Sequence, residues 1–217
     1  MSKILVTAGS TSVPIDRVRV ISNVFRGRTG HVIAQAAAAA GHDVTLLTSN
    51  ASEELTSALT GLCVYRFRMF DELRALMERE IRTGCYDTII HSAAVSDYRV
   101  ASVRTDRGPL EGGEAATKIG SSHGSLIIEL EPTEKLIDLI RTPWGFKGTL
   151  VKFKLQVGVS DAELLQIARR SMETSNADLI VANCLEWARE RAYILGAGGT
   201  CESVTRDDLP AALLRRF

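Results

Sequence analysis

Four residues near the amino terminus have types and spacings suited to chemistry on an anionic acyl group. Arg19 and Asn23 stand in Val18-Arg19-Val20-Ile21-Ser22-Asn23, and Gly27 and Gly30 in Gly27-Arg28-Thr29-Gly30. Asn23 can donate and accept hydrogen bonds without titrating, as a site handling a polar acyl intermediate requires. Gly27-x-x-Gly30 leaves backbone amides free where a helix begins, a ready place for an anion. A lone lysine, Lys118, precedes Ile119-Gly120-Ser121-Ser122 in a polar stretch over 101–125. Taken singly, each has a plainer use: Asn23 as a cap, Arg19 as a surface cation, the glycines as packing positions, Lys118 as a solvated charge.

The elements that must position these residues alternate between strand and helix. Lys3-Ile4-Leu5-Val6-Thr7-Ala8-Gly9 reads as a first, buried strand, and His31 to Ala40 as a helix ended by Gly41. Asp43–Thr48 is a second strand, Ser52–Leu62 a helix with Glu53 and Glu54 in its first turn, and Val64–Phe67 an outer strand. Phe70–Arg82 is an amphipathic helix, Asp87–His91 a central strand, and 101–125 a long loop. Leu126–Leu130 returns to strand, Thr133 caps a helix through Ile140, and Leu150–Leu155 is a strand. Ser160 and Glu163 form a capping box for a helix to about Thr174. Asp178–Asn183 is the last central strand, Ala192–Leu195 a late one, and Thr205 with Asp208 opens a final helix. The order predicts an α/β fold: a Rossmann-like, mostly parallel sheet with helices on both faces, its carboxyl edge carrying the ligand site.

Composition bounds the function. The 217 residues, 45% of them hydrophobic, suit one domain over 1–217. Twenty-six basic and 26 acidic residues balance, so there is no nucleic-acid stripe and no polybasic membrane anchor. Cys63, Cys85, Cys184 and Cys201 lack C-x-x-C spacing and are read as reduced structural thiols. The four histidines are scattered, and no metal site is expected. The start lacks the pattern of a signal peptide and no apolar run is long enough to span a membrane, so a cytoplasmic protein is expected. The first turn, Ala8-Gly9-Ser10-Thr11-Ser12, has no G-x-G-x-x-G, no acid ends the second strand, and Tyr98 is not followed four residues later by lysine. These absences count against an NAD(P)-dependent oxidoreductase.

Several segments match one family in order. They are Ile4-Leu5-Val6-Thr7-Ala8-Gly9-Ser10-Thr11, Ile15-Asp16-x-Val18-Arg19-x-Ile21-Ser22-Asn23, Gly27-x-x-Gly30, His91-Ser92-Ala93-Ala94-Val95-Ser96-Asp97-Tyr98 and Lys118-Ile119-x-Ser121-Ser122. Leu130-Glu131-x-Thr133-x-Lys135-Leu136-Ile137, Val151-x-Phe153-Lys154-Leu155 and Ala177-Asp178-Leu179-Ile180-Val181-Ala182-Asn183 complete them. Over nearly its full length the chain resembles the phosphopantothenate–cysteine ligases of coenzyme A biosynthesis, in their stand-alone bacterial form. That resemblance implies a two-step reaction. The carboxylate of 4′-phosphopantothenate attacks the α-phosphate of CTP (or ATP), releasing pyrophosphate, and the amine of L-cysteine then displaces the nucleotide from the acyl carbon. It also implies Mg2+ with the triphosphate and a homodimer, with Val64–Phe67 or Ala192–Leu195 as candidate dimer edges.

By position, the resemblance makes Asn23 the holder of the acyl-nucleotide, with Arg19 orienting it or the substrate. Lys118 becomes the cation of the first step, and Arg26, Gly27 and Gly30 contacts to the pantothenate phosphate. It implies that Ala93 and Ala94 line the base through backbone atoms, Asp97 contacts the ribose, Phe153 flanks the base and Arg170 faces the triphosphate. Three departures stand out. Phe25 and Arg26 replace small hydroxyl residues, Arg170 and Thr174 replace two lysines, and Lys118 alone remains of a longer lysine loop. They leave open a diverged non-catalytic module that binds phosphopantothenate or a nucleotide.

Overall fold

The computed structural model describes residues 1–50 and 62–217; the helix expected at Ser52–Leu62 lies, but for Leu62, outside the described residues. An eight-stranded sheet runs in the order β13-β12-β11-β10-β6-β1-β4-β5. Its strands are β1 (Lys3–Ala8), β4 (Asp43–Thr48), β5 (Leu62–Arg66), β6 (Thr88–His91), β10 (Thr149–Gln156), β11 (Leu179–Cys184), β12 (Arg191–Gly196) and β13 (Cys201–Thr205). From β11 to β5 neighbouring strands are parallel, while β12 and β13 pair antiparallel. The Rossmann-like, mostly parallel α/β fold is as expected. Ala192–Leu195 lies inside β12, flanked on both sides, so it offers no open edge.

Both faces are covered, and the period of two along β1 shows how. Ile4, Val6 and Ala8 pack with Ile33, Ala34 and Ala37 of α1 (Arg28–Ala39) and with Leu209, Ala212 and Leu213 of α5 (Leu209–Leu214). Leu5 points the other way, toward Leu73, Met77 and Ile81 of α2 (Phe70–Thr83), whose i, i+4, i+8 spacing makes the apolar stripe. Leu136 of the short α3 (Leu136–Leu139) joins that face. A third cluster beneath α4 (Asp161–Thr174) holds Leu164, Ala168 and Ile180. The Ser160–Glu163 box closes reciprocally, with Ser160 N–H donating to Glu163 Oε2 at 2.9 Å and Glu163 N–H to Ser160 Oγ at 3.3 Å. Thr205 and Asp208 also bond reciprocally, but Asp208 is the residue that precedes α5.

Two small antiparallel sheets were not expected. β2 (Ser12–Pro14) and β3 (Val20–Ser22) form a hairpin whose tip is 15–19. β7 (Tyr98–Thr105), β8 (Gly108–Leu110) and β9 (Leu126–Pro132) form a three-stranded sheet, so the expected 101–125 loop is a hairpin followed by a shorter connection. Its strands mix Arg, Ser and Thr with apolar residues, and a bulge between Val100 and Ser102 breaks the alternation, which hides the period of two. Thr133 is also not a cap: its hydroxyl donates to the Ser96 carbonyl at 2.8 Å, and Lys135 precedes α3.

Candidate active site

At the carboxyl ends of β1 and β4 a cavity of about 330 Å³ is lined by Ser10, Ser12, Ser22, Asn23, Phe25, Arg26, Ser49, Asn50 and Arg68, among others. Asn23 and Arg26 thus line one space, and α1 begins two residues after Arg26. Close packing demands the glycines. Gly27, the N-cap of α1, has φ 77°, and a Cβ on it would lie 2.1 Å from Gly9 N. A Cβ on Gly30 would lie 2.7 Å from Ala8 Cβ and 2.4 Å from Ser92 Oγ. His31 fastens the same junction, one ring nitrogen 2.8 Å from the Gly27 carbonyl and the other 3.1 Å from Thr48 Oγ1. Ser10 N–H donates to Ser49 Oγ at 2.8 Å and the hydroxyls of Ser10 and Ser22 are 3.2 Å apart, so serine oxygens ring the opening. No role was read for these serines, Asn50 or Arg68 in the sequence, because they come together from five strand ends: those after β1, β4 and β5, the start of β2 and the end of β3.

Arg19 does not reach toward Asn23. Its guanidinium grips the buried carboxylate of Asp16 and donates to the Ile119 carbonyl at 2.9 Å. Asp16 also accepts from the amides of Val18, Arg19 and Ile119 at 2.8–3.0 Å. The Arg19 guanidinium, then these amides, hold its carboxyl far below the usual carboxylate range. Asp16 was present in the matched motif without an assigned role; the signal was an acid three residues before an arginine. Together they anchor Ile119 and so place the exposed Lys118 beside the hairpin tip. Asn23 follows the other end of β3, four residues of extended chain or about 13 Å from Arg19. Asp16→Asn is therefore expected to loosen 116–120. Limited proteolysis should cut that segment about tenfold faster; unchanged cleavage would show that the anchor lies elsewhere.

The other expected positions divide. Ala94 has its N–H on the Gly9 carbonyl at 2.8 Å and its carbonyl accepting from Thr11 N–H, and Ala93 N–H donates to Thr7 Oγ1, so these amides are already engaged in joining β1 to β6. Asp97 is exposed and paired with Lys135 at 3.1 Å. Phe153 is half-buried in β10 and packs on the α1 face of the core. Arg170 is misplaced by the expectation. A helix following a parallel strand runs back along it, so Arg170, about 14 Å along α4 from its start, stands toward the amino edge of the sheet. Thr174 lies one turn further, its hydroxyl on the Arg170 carbonyl at 2.9 Å.

A buried polar row crosses the sheet beneath the site. Thr7, His91 and Lys152 are register partners on β1, β6 and β10. His91 Nδ1 lies 2.9 Å from Thr7 Oγ1, and Lys152 Nζ donates to the Ser171 carbonyl and Ser175 Oγ, each at 2.9 Å. Burial, then the Lys152 charge, pushes His91 down to about 4. The unfolded chain binds this proton near pH 6.5, so stability is full above that pH and falls as pH drops toward 4, by about 3 kcal/mol. The melting temperature should fall more between pH 7 and 4.5 in the unmodified protein than in His91→Gln; equal slopes would remove His91 as the cause.

The fold is that of an open, Rossmann-like α/β domain, with a hydroxyl- and arginine-lined cavity at its first strand ends beside a glycine-opened helix. The chain belongs to the family described as the DNA/pantothenate metabolism flavoprotein C-terminal domain, which matches residues 1–193, in agreement with the resemblance carried by its motifs. It is 36% identical over 186 residues to the coenzyme A biosynthesis bifunctional protein CoaBC of Thermococcus kodakarensis, covering 85% of this chain and 41% of that protein. The chain spans less than half the length of such curated relatives. Among solved structures, the DNA/pantothenate metabolism flavoprotein from Streptococcus pneumoniae superposes with a TM-score of 0.85 at 28% identity, over 100% of this chain and 98% of that one. A Cab2 variant in complex with phosphopantothenate-cysteine shares the fold, with a TM-score of 0.72 at 18% identity over 99% and 86% of the two chains. Among the described residues no helix is long and apolar enough to cross a membrane.

Proposed function

We propose that the protein is a phosphopantothenate–cysteine ligase that uses CTP. The observation that carries this reading is the cavity at the β1 and β4 ends, where Asn23, Arg26, Arg68 and four serines face one space at the start of α1. In the first step a carboxylate oxygen of 4′-phosphopantothenate bonds to the α-phosphorus, the bond from that phosphorus to the bridging oxygen breaks, and pyrophosphate leaves. In the second the amine of cysteine bonds to the acyl carbon, CMP leaves with the shared oxygen, and the amine loses a proton to solvent. Both steps build charge on oxygens, so fixed donors and cations serve better than a covalent nucleophile.

The residues divide this work. Asn23 donates to the acyl group, Arg26 and the serine hydroxyls hold phosphate, and Lys118, carried by the Asp16–Arg19 anchor, neutralises the triphosphate from the other end of the hairpin. The serines supply the hydroxyls that Phe25 and Arg26 omit. Thr174 ceases to count against activity, since it stands with Arg170 toward the amino edge. Asp97, an exposed carboxylate at the end of the 92–97 turn, is the contact to the ribose. Magnesium would supply charge neutralisation, held chiefly by phosphate and water. The second copy of a homodimer would cover the apolar residues exposed on the hairpin and three-stranded sheet: Val18, Ile21, Tyr98 and Ile127, each 40–61% exposed.

Pyrophosphate release by purified protein with 4′-phosphopantothenate, cysteine and magnesium tests the reading, with CTP and ATP in parallel. Release that requires phosphopantothenate and is faster with CTP is expected. Preference for ATP would correct the nucleotide, and no release with either would leave a binding module.

A further inference from the structure

The stretch that leaves β1 is stitched to two other strand ends. Ser10 and Ala94 form a parallel bridge, and Thr11 N–H donates to the Ala94 carbonyl at 3.2 Å. Ser12 bridges Met69, and its N–H donates to the Arg68 carbonyl at 2.8 Å. Ser10 and Ser12 line the cavity, while Thr11 between them is 1% exposed. Thr11 Oγ1 accepts the Ser96 N–H at 2.8 Å, across 85 positions of the chain. From the other side Thr133 Oγ1 donates to the Ser96 carbonyl at 2.8 Å, and Thr133 N–H donates to the Asp97 carbonyl at 2.9 Å. Two threonine hydroxyls thus grip Ser96 by its amide and by its carbonyl, and the next residue is Asp97. Ser96 Oγ adds a local turn by donating to the Tyr98 carbonyl at 2.8 Å. The Asp97 side chain itself is exposed and pairs with Lys135, so its place depends on the backbone that carries it.

We propose that Thr11 is a positioning residue for nucleotide binding: through Ser96 it fixes where Asp97 stands relative to the β1 and β4 ends. This rests on the ligase reading, in which Asp97 meets the ribose, and adds which buried group holds that carboxylate in register with Asn23. Thr11 touches no substrate. A turn set in place on folding spares the ligand the entropy of ordering it on binding. Without the Thr11 hydroxyl, the Ser96 amide loses its acceptor and the turn loosens. The backbone bonds of Ser10, Thr11 and Ser12 remain, so the cavity at Asn23 keeps its walls.

The test is calorimetric binding of CTP with magnesium, and separately of 4′-phosphopantothenate, to unmodified protein, Thr11→Val and Thr11→Ser. Thr11→Val should bind CTP about tenfold more weakly, as expected for one lost hydrogen bond. Thr11→Ser keeps the oxygen and should stay close to the unmodified value. Phosphopantothenate should bind all three alike, and in turnover the KM for CTP should rise in Thr11→Val while that for cysteine holds. A lower melting temperature in Thr11→Val with unchanged CTP affinity would make the hydroxyl merely structural and overturn the proposal. Equal weakening for both ligands, or no nucleotide binding by the unmodified protein, also overturns it. If Thr11→Val fails to fold, Thr133→Val, which frees Ser96 from its carbonyl side, decides in the same way. Nucleotide binding that depends on Thr11 in a protein that releases no pyrophosphate would instead retain the role of Thr11 and reject the ligase reading.

Discussion

Asn23→Asp is expected to release pyrophosphate at near the normal rate while forming product about 10² to 10³ times more slowly, the usual cost of losing one donor to a developing oxyanion. The two side chains have the same shape. Aspartate removes the amide N–H that would stabilise charge on the acyl oxygen as cysteine attacks, and it adds a negative charge next to the anionic acyl phosphate. The acyl-nucleotide should therefore accumulate, and quenching the reaction followed by mass spectrometry would detect it. Asn23 lines the cavity from an exposed position after β3, so the substitution leaves the core untouched and the melting temperature should hold. Product formation at the unmodified rate would take Asn23 out of the site.

Lys118→Gln is expected to fail one step earlier. Pyrophosphate leaves with most of the charge that the first step develops, and a positioned cation at that charge is worth about 10² to 10³ in rate. Glutamine keeps much of the reach and removes the charge. The side chain is exposed, while Ile119 beside it is buried and bonded through its backbone to Asp16 and Arg19, so the segment should keep its place. The signature is a loss of pyrophosphate release with normal conversion of chemically supplied acyl-nucleotide by cysteine. Asp16→Asn should show the same pattern more weakly, with faster proteolysis at 116–120. Normal pyrophosphate release by Lys118→Gln would show this lysine to be a solvated charge.

The sequence by itself determined the layered α/β fold, the family and the helix boundaries marked by local signals. Ile4, Leu5 and Val6 announce a strand covered on both faces, Ser160 with Glu163 a helix start, and Gly41 a helix end. Such signals work because a period of two or of 3.6, or a cap three residues from its partner, is contained within one element. Only the tertiary structure decided who meets whom at the site. Asp16 bonds Ile119 across 103 positions, and Thr11 bonds Ser96 across 85. Arg19 consequently serves the Lys118 segment instead of Asn23, and Arg170 stands toward the edge away from the cavity. The β2–β3 hairpin and the three-stranded sheet were hidden because short, solvated strands lack an apolar alternation and take their pairing from neighbours distant in the chain. Partners so far apart are set by the strand order and by the direction in which each helix returns, neither of which any local stretch of residues encodes.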